Sequence, residues 1–341
     1  MKQTKKTTIY TLLIILLFGL TLPTQGQNNP FKINDSLYPL YLRANYNRTN
    51  PICLEQADSL RRKAIRLKDH KAEILALLVP LKYQITKQHN FPAVWEASQQ
   101  VRKKAQEYNY LQYYFYTSTT MANYLLSEDR FDEAKKLVQK DIWFATKHKH
   151  PYGTQAGYVA LGNMLMAREE YAHAIFYYET ALQFSQEHMQ KQERSIYPHI
   201  CDGNIRLGRF QEVVNAANEG IRYCYSEPTK AGLYGYKAIG HFMTGDYDNF
   251  KKSYQEYFKR LNTVPIFTTE YLILLNSLHA ISNKDSVKYK EYKNKLSGLL
   301  RKYCSYAYYS YNGQYDKAAK VMNKIVKLTQ SGGNTDILTD L

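Results

Sequence analysis

The sequence predicts an all-α chain arranged as an α-solenoid of about seven to eight helix pairs. Three observations carry this. From Asp35 onward apolar residues recur at three and four positions, with no β-branched alternation. Short breaks interrupt the helical pattern at a regular interval. The composition is that of a folded array: 341 residues, 44% apolar and 22% charged, with 16 Gly and 10 Pro. These values exclude a collagen-like or wholly disordered chain, and a mean hydropathy of -0.54 excludes a polytopic membrane protein.

The first 26 residues form a separate element. Lys2, Lys5 and Lys6 precede the apolar run Ile9–Leu22, which Pro23 ends, and Thr24-Gln25-Gly26 follows with small residues for a peptidase. That order is the one a secretory signal peptide has. The run is shorter than the roughly 20 apolar residues of a spanning helix. The expectation is therefore cleavage after Gly26 and export to the periplasm of a Gram-negative bacterium. The alternative is an uncleaved N-terminal anchor at the inner membrane. Cys53 is too far downstream to accept a lipid at the cleavage site. No later stretch has the length to span a bilayer, Tyr271–Leu278 being the best candidate.

Residues 27–330 carry the repeats. Each break reads as Gly or an acid, one further residue, then Tyr or Phe opening a new helix. They are Asp129-Arg130-Phe131, Glu169-Glu170-Tyr171, Gly208-Arg209-Phe210, Gly245-Asp246-Tyr247 and Gly313-Gln314-Tyr315. The aromatics are 40, 39, 37 and 68 residues apart, the last interval being two periods of 34. Weaker copies fall at Phe91, near Leu54 and near Val287. A period of this size with two helices per unit is the signature of a helical solenoid. Residues 331–341, beginning Ser331-Gly332-Gly333, are too few for another pair and form a tail.

The unit resembles the tetratricopeptide repeat. Its best copy runs from about Gln155 to Glu187. There Tyr158, Leu161, Gly162 and Leu165 match the first helix of the motif, and Tyr171, Ala174, Tyr178 and Ala181 match the second. The small residues suit the close crossing of paired helices, and Tyr171 and Tyr178 suit the gap to the next unit. The resemblance implies a right-handed superhelix that binds protein or peptide on its concave face and does not catalyse. The chain is similar to the periplasmic repeat regions of Bacteroidetes two-component sensors and regulators, in which a membrane span and an output module follow the array; the expectation here is a free-standing relative or a shortened gene product.

By this resemblance, four positions of each first helix face inward. They give Tyr116, Thr119, Asn123 and Leu126, then Ala156, Val159, Asn163 and Met166, then Ser195, Pro198, Asp202 and Ile205. The fourth set is Gly232, Gly235, Ile239 and Phe242. Tyr116, Asn123, Asn163, Met166, Asp202 and Phe242 are the candidate partner-binding residues. Asn123, Asn163 and Asp202 share one position and form a ladder that could hydrogen-bond an extended peptide. The equal alternative is a solvated polar row on an unused groove. Thr119, Val159 and Pro198 stand where a carboxylate clamp would need lysine, so C-terminal carboxylate capture is not expected.

The remaining chemistry is sparse. The net charge of +16 favours acidic partners, but export argues against nucleic acid. Runs such as Arg61-Arg62-Lys63 and Arg102-Lys103-Lys104 read as solvated helix faces. Cys53, Cys201, Cys224 and Cys304 contain no CxxC and read as buried thiols. His148-Lys149-His150 reads as an exposed loop before Pro151, not a metal site. No metal-binding, nucleotide-binding or hydrolase motif is present, so no catalytic residue, metal or cofactor is expected. The 33 tyrosines cluster at Tyr113-Tyr114-Phe115-Tyr116 and from Tyr303 to Tyr311. They suit inter-repeat packing or ligand contact. Asp35-Ser36-Leu37, Asp58-Ser59-Leu60 and Asp285-Ser286-Val287 resemble a short O-glycosylation acceptor of Bacteroidetes. An accessory role in glycan uptake is the second functional class; it would use exposed aromatic platforms, and only Trp95 and Trp143 are tryptophans.

Overall fold

The computed structural model describes residues 29–88, 90–189, 196–260 and 268–331. The predicted signal peptide and nearly all of the tail lie outside the described residues. Among the described residues there are sixteen α-helices, packed as consecutive pairs, and no strand. The first four pairs are α1 (Tyr38–Tyr46) with α2 (Ile52–Arg66), α3 (His70–Tyr83) with α4 (Phe91–Glu107), α5 (Leu111–Ser127) with α6 (Phe131–Lys147), and α7 (Pro151–Ala167) with α8 (Tyr171–His188). The next four are α9 (Tyr197–Leu207) with α10 (Phe210–Tyr223), α11 (Glu227–Met243) with α12 (Tyr247–Lys259), α13 (Thr269–Ser282) with α14 (Ser286–Lys295), and α15 (Gly298–Tyr311) with α16 (Tyr315–Ser331). A single π-helical turn, Gln84–Gln88, extends α3. This is a tetratricopeptide-like helical repeat.

The aromatic of every strong sequence break is the first residue of a second helix: Phe131, Tyr171, Phe210, Tyr247 and Tyr315. The backbone explains the break. Asp129, Glu169, Gly208, Gly245 and Gly313 all have φ between +57° and +83°, the left-handed turn that ends the first helix. Glycine enters that region without steric cost and the short Asp129 tolerates it, whereas Glu169 holds it at some cost. Side chains then cap many of the following helices: Asp69, Asn90, Ser226, Asp246, Thr268 and Asp285 each accept a backbone N–H from the residue three ahead.

The chain divides into two compact units, residues 1–160 and 161–341. In the N-terminal unit α3 is buried on nearly every side, from Ala72 to Val79. In the C-terminal unit α11 takes that place, with every residue from Ala238 to Met243 buried. Its Tyr236 joins Phe250, Tyr257, Tyr271 and Tyr303 from other helices in one aromatic-rich core. All four cysteines are buried, and burial pushes the Cys304 thiol up to about 11. Among the described residues no helix is long and apolar enough to cross a membrane.

Within the best repeat copy, Leu161, Gly162, Ala174, Tyr178 and Ala181 are buried, while Tyr158 and Tyr171 are half-buried. A Cβ on Gly162 would lie 2.5 Å from the Tyr178 ring, so the helices meet there with no room for a methyl group. Tyr178 in turn stacks on His199 of α9, with ring centroids 5.1 Å apart.

Candidate functional site

The inward positions of the C-terminal unit are filled by the protein itself. Pro198 and Ile205 on α9 are buried, as are Gly232, Gly235, Ile239 and Phe242 on α11. Phe242 is 2% exposed. Its ring meets Phe250 at 4.9 Å, Tyr247 at 5.1 Å and Tyr311 at 5.7 Å. It is a core residue, which corrects the expectation of a partner contact. The repeat position alone could not show this, because α15 supplies one of the covering aromatics, Tyr311, from much later in the chain.

Asp202 is engaged as well. It accepts a hydrogen bond from the Tyr271 hydroxyl, and its carboxylate lies 3.4 Å from Arg206 Nε. Burial lifts the Tyr271 phenol far above its ordinary value and Asp202 adds to the rise, so Tyr271 holds its proton and remains a donor. Asn163 Oδ1 accepts from the Tyr178 hydroxyl at 2.7 Å. Two rungs of the expected amide ladder therefore brace the array internally. Met166 remains half-buried, and Ser195 lies outside the described residues.

The N-terminal unit differs. On α5, Tyr116, Thr119 and Asn123 are each partly exposed, whereas Leu126 is buried. Tyr116 belongs to a cluster contributed by α1, the turn after it, α3 and α5. Lys82 Nζ donates to Asn45 Oδ1 at 3.3 Å, and Arg48 Nη1 donates to the Asn45 carbonyl at 3.2 Å. Burial lowers Lys82 to about 8, and the neighbouring Arg48 charge adds to this. Burial raises Tyr113 to about 12 and Tyr116 further, with Thr120 and Arg48 opposing the Tyr116 rise. The phenols are thus protonated near neutrality. Tyr116 and the neighbouring Arg48 therefore give this face donors suited to carbonyl and carboxylate oxygens.

The sequence pattern points to Tyr116 in this cluster but not to Arg48, Lys82 or Tyr113. The repeats around α1 and α3 are too degenerate to register. One signal is present: Lys82 is the lone cation within the otherwise apolar stretch Ile74–Tyr83. Two other expectations are corrected. Arg102, in a run that reads as a solvated face, is 7% exposed and pairs with buried Asp141 at 2.6 Å. His150, in a stretch that reads as an exposed loop, is half-buried, and its Nδ1 accepts the Gly153 N–H at 3.1 Å to cap α7. Among the described residues no group of three His, Cys, Asp or Glu is placed to hold a metal ion.

The sequence matches no family model and no curated protein. Solved structures do resemble the chain. BtubC from P. vanneervenii is 13% identical with a TM-score of 0.49, covering 67% of this chain and 92% of its own. The Rap protein complexed with competence and sporulation factor is 14% identical with a TM-score of 0.45, covering 87% and 75%. Aspartyl phosphate phosphatase F from Bacillus subtilis is 15% identical with a TM-score of 0.41, covering 86% and 70%. At such identities and scores the likeness carries nothing about activity.

Proposed function

We propose that the chain is an exported, non-enzymatic repeat scaffold that binds an extended stretch of protein or peptide through the first-helix face of its N-terminal unit. The supporting observation is the contrast between equivalent helices. The inward residues of α11 are sealed into the core, whereas Tyr116, Thr119 and Asn123 on α5 keep exposure, Tyr116 close to Arg48. Tyrosine is a rigid amphipathic contact residue, and the donors around it match a peptide's carbonyl oxygens. Service as the ligand-sensing component of a signalling system belongs to the same proposal.

The test is site-specific photocrosslinking in the native host. A benzophenone side chain at Tyr116 is expected to yield a discrete, protease-sensitive adduct, and the same probe at the exposed Tyr225 is not. Absence of an adduct at Tyr116 rejects the binding face. Fractionation with N-terminal sequencing checks export, the expected mature chain beginning at Gln27. A second reading, glycan binding, draws support from the exposure of Trp95 and Trp143, at 40% and 61%. A polysaccharide adduct in place of a polypeptide would favour it.

A further inference from the structure

A second concave feature lies within the N-terminal unit, between the second helices α4 and α6 and over α5. It encloses about 500 Å³. Its floor is buried Arg102, Tyr114, Leu125 and Leu137, and its rim carries Trp95, Lys103, Lys136 and Lys140 with the amides of Gln99 and Gln106. The acids nearby are already matched. Asp141 pairs with Arg102 Nη2 at 2.6 Å and also accepts from the Tyr114 hydroxyl. Glu133 is held by both Nε and Nη2 of Arg130, at 2.7 and 2.6 Å. What faces solvent is therefore a set of three lysines beside an exposed indole, over a floor that includes buried Leu125 and Leu137.

The groove recurs in the C-terminal unit, and the recurrence serves as an internal contrast. Counted from the opening aromatic of their helices, Glu133, Lys136, Leu137 and Lys140 on α6 correspond to Asn249, Lys252, Ser253 and Glu256 on α12, which line the second groove. There Lys140 is replaced by an acid and Leu137 by serine; Lys237 and Lys252 remain, so the same geometry is less cationic and has lost the leucine of its floor. The repeat builds the groove; this chain makes one copy more cationic and more apolar.

We infer that the α4–α5–α6 groove binds an acidic polypeptide segment, its carboxylates on the lysines and its apolar side chains on Trp95, Leu125 and Leu137. A bare phosphate or similar small anion suits the site less well. Its one guanidinium has its charge matched by Asp141 through Nη2, and the exposed cations are lysines spaced along two helices instead of converging on a point. The amides of Gln99 and Gln106 can serve a peptide backbone. This site is distinct from the Tyr116 face and stands or falls independently of it.

The two tryptophans make a direct readout available. In a Trp143→Phe background of the full chain, Trp95 is the sole indole, and its emission is followed while an acetylated peptide alternating Glu and Leu is added. The expected result is a saturable shift, weakened about tenfold or more by Lys136→Ala with Lys140→Ala and by raised salt. The equivalent Lys252→Ala should stay within about twofold of the parent. All of these lysines are exposed, so circular dichroism should show each variant folded. No saturation by about 1 mM peptide, or equal affinity in the double variant, overturns the proposal. So does displacement by inorganic phosphate at the same concentration, which would mark a small-anion site, or equal binding of a Lys-Leu peptide.

Discussion

The Tyr271 hydroxyl donates to the carboxylate of Asp202, joining α13 to α9 across the intervening pair α11–α12. The contact lies among aromatic rings: Tyr236 meets Tyr271 edge-on at 5.4 Å, and Arg206 sits 5.7 Å over the Tyr271 ring. A hydrogen bond to a charged group, partly withdrawn from water, is worth about 1.5–3 kcal/mol. Tyr271→Phe should therefore lower unfolding stability by that order, and Asp202→Asn by less, because an amide still accepts. A double-mutant cycle by urea denaturation measures the coupling; additivity of the two losses would show that the contact contributes nothing.

Gly162 and Tyr178 offer a packing test. With only 2.5 Å between an added methyl carbon and the ring, Gly162→Ala must push Tyr178 away from His199 and from Asn163. Overpacking of this kind costs about 1–3 kcal/mol. Shortening the opposing side chain by Tyr178→Leu in the same protein should recover part of that loss. Thermal melts of the two single variants and the double variant decide it, since a double variant no better than Gly162→Ala would locate the strain elsewhere.

These two relationships mark what is legible in the sequence. Gly162, Ala174, Tyr178 and Ala181 are readable because local helix-pair packing repeats at a fixed spacing, and three of the breaks are readable because a left-handed turn favours the glycines Gly208, Gly245 and Gly313. Phe242 and Asp202 read as partner contacts, and differ in the structure, for a physical reason. Whether an inward position is open depends on residues far along the chain, here Tyr271 against Asp202 and Tyr311 against Phe242, and no periodicity encodes that. Arg102 is hidden in the same way, since its partner Asp141 lies on a different helix and the surrounding lysines make the run look uniformly solvated.

Lys284 tests the turn chemistry. It has φ +58° between α13 and α14, the conformation that Gly245 and Gly313 adopt at equivalent turns. A side chain there costs roughly 1–2 kcal/mol, and glycine's greater freedom when unfolded returns part of the gain. Lys284→Gly should stabilise the protein by about 0.5–1 kcal/mol, and the β-branched Lys284→Val should destabilise it. Both are read from urea midpoints. A glycine variant less stable than the parent would mean that the lysine side chain contributes more than the backbone strain costs.

His150 makes the fold sensitive to pH. Its Nδ1 accepts the Gly153 N–H at the start of α7, and a nitrogen that accepts cannot carry a proton. Burial holds its pKa below the ordinary 6.5, so the unfolded chain takes up the proton first. Stability is therefore fully present above about 6.5 and declines as pH falls below it. Protonation also places positive charge at a helix N-terminus, where the dipole opposes it. Loss of a cap is worth about 1 kcal/mol. Burial depresses His241 and His279 in the same direction, so the full protein should lose stability progressively between pH 7 and 5. His150→Asn keeps an acceptor at the cap and removes the titration. Melting temperatures measured across that range should fall less steeply for His150→Asn than for the parent, while His150→Ala should be weaker at every pH. Parallel curves for parent and His150→Asn would assign the acid sensitivity to other groups.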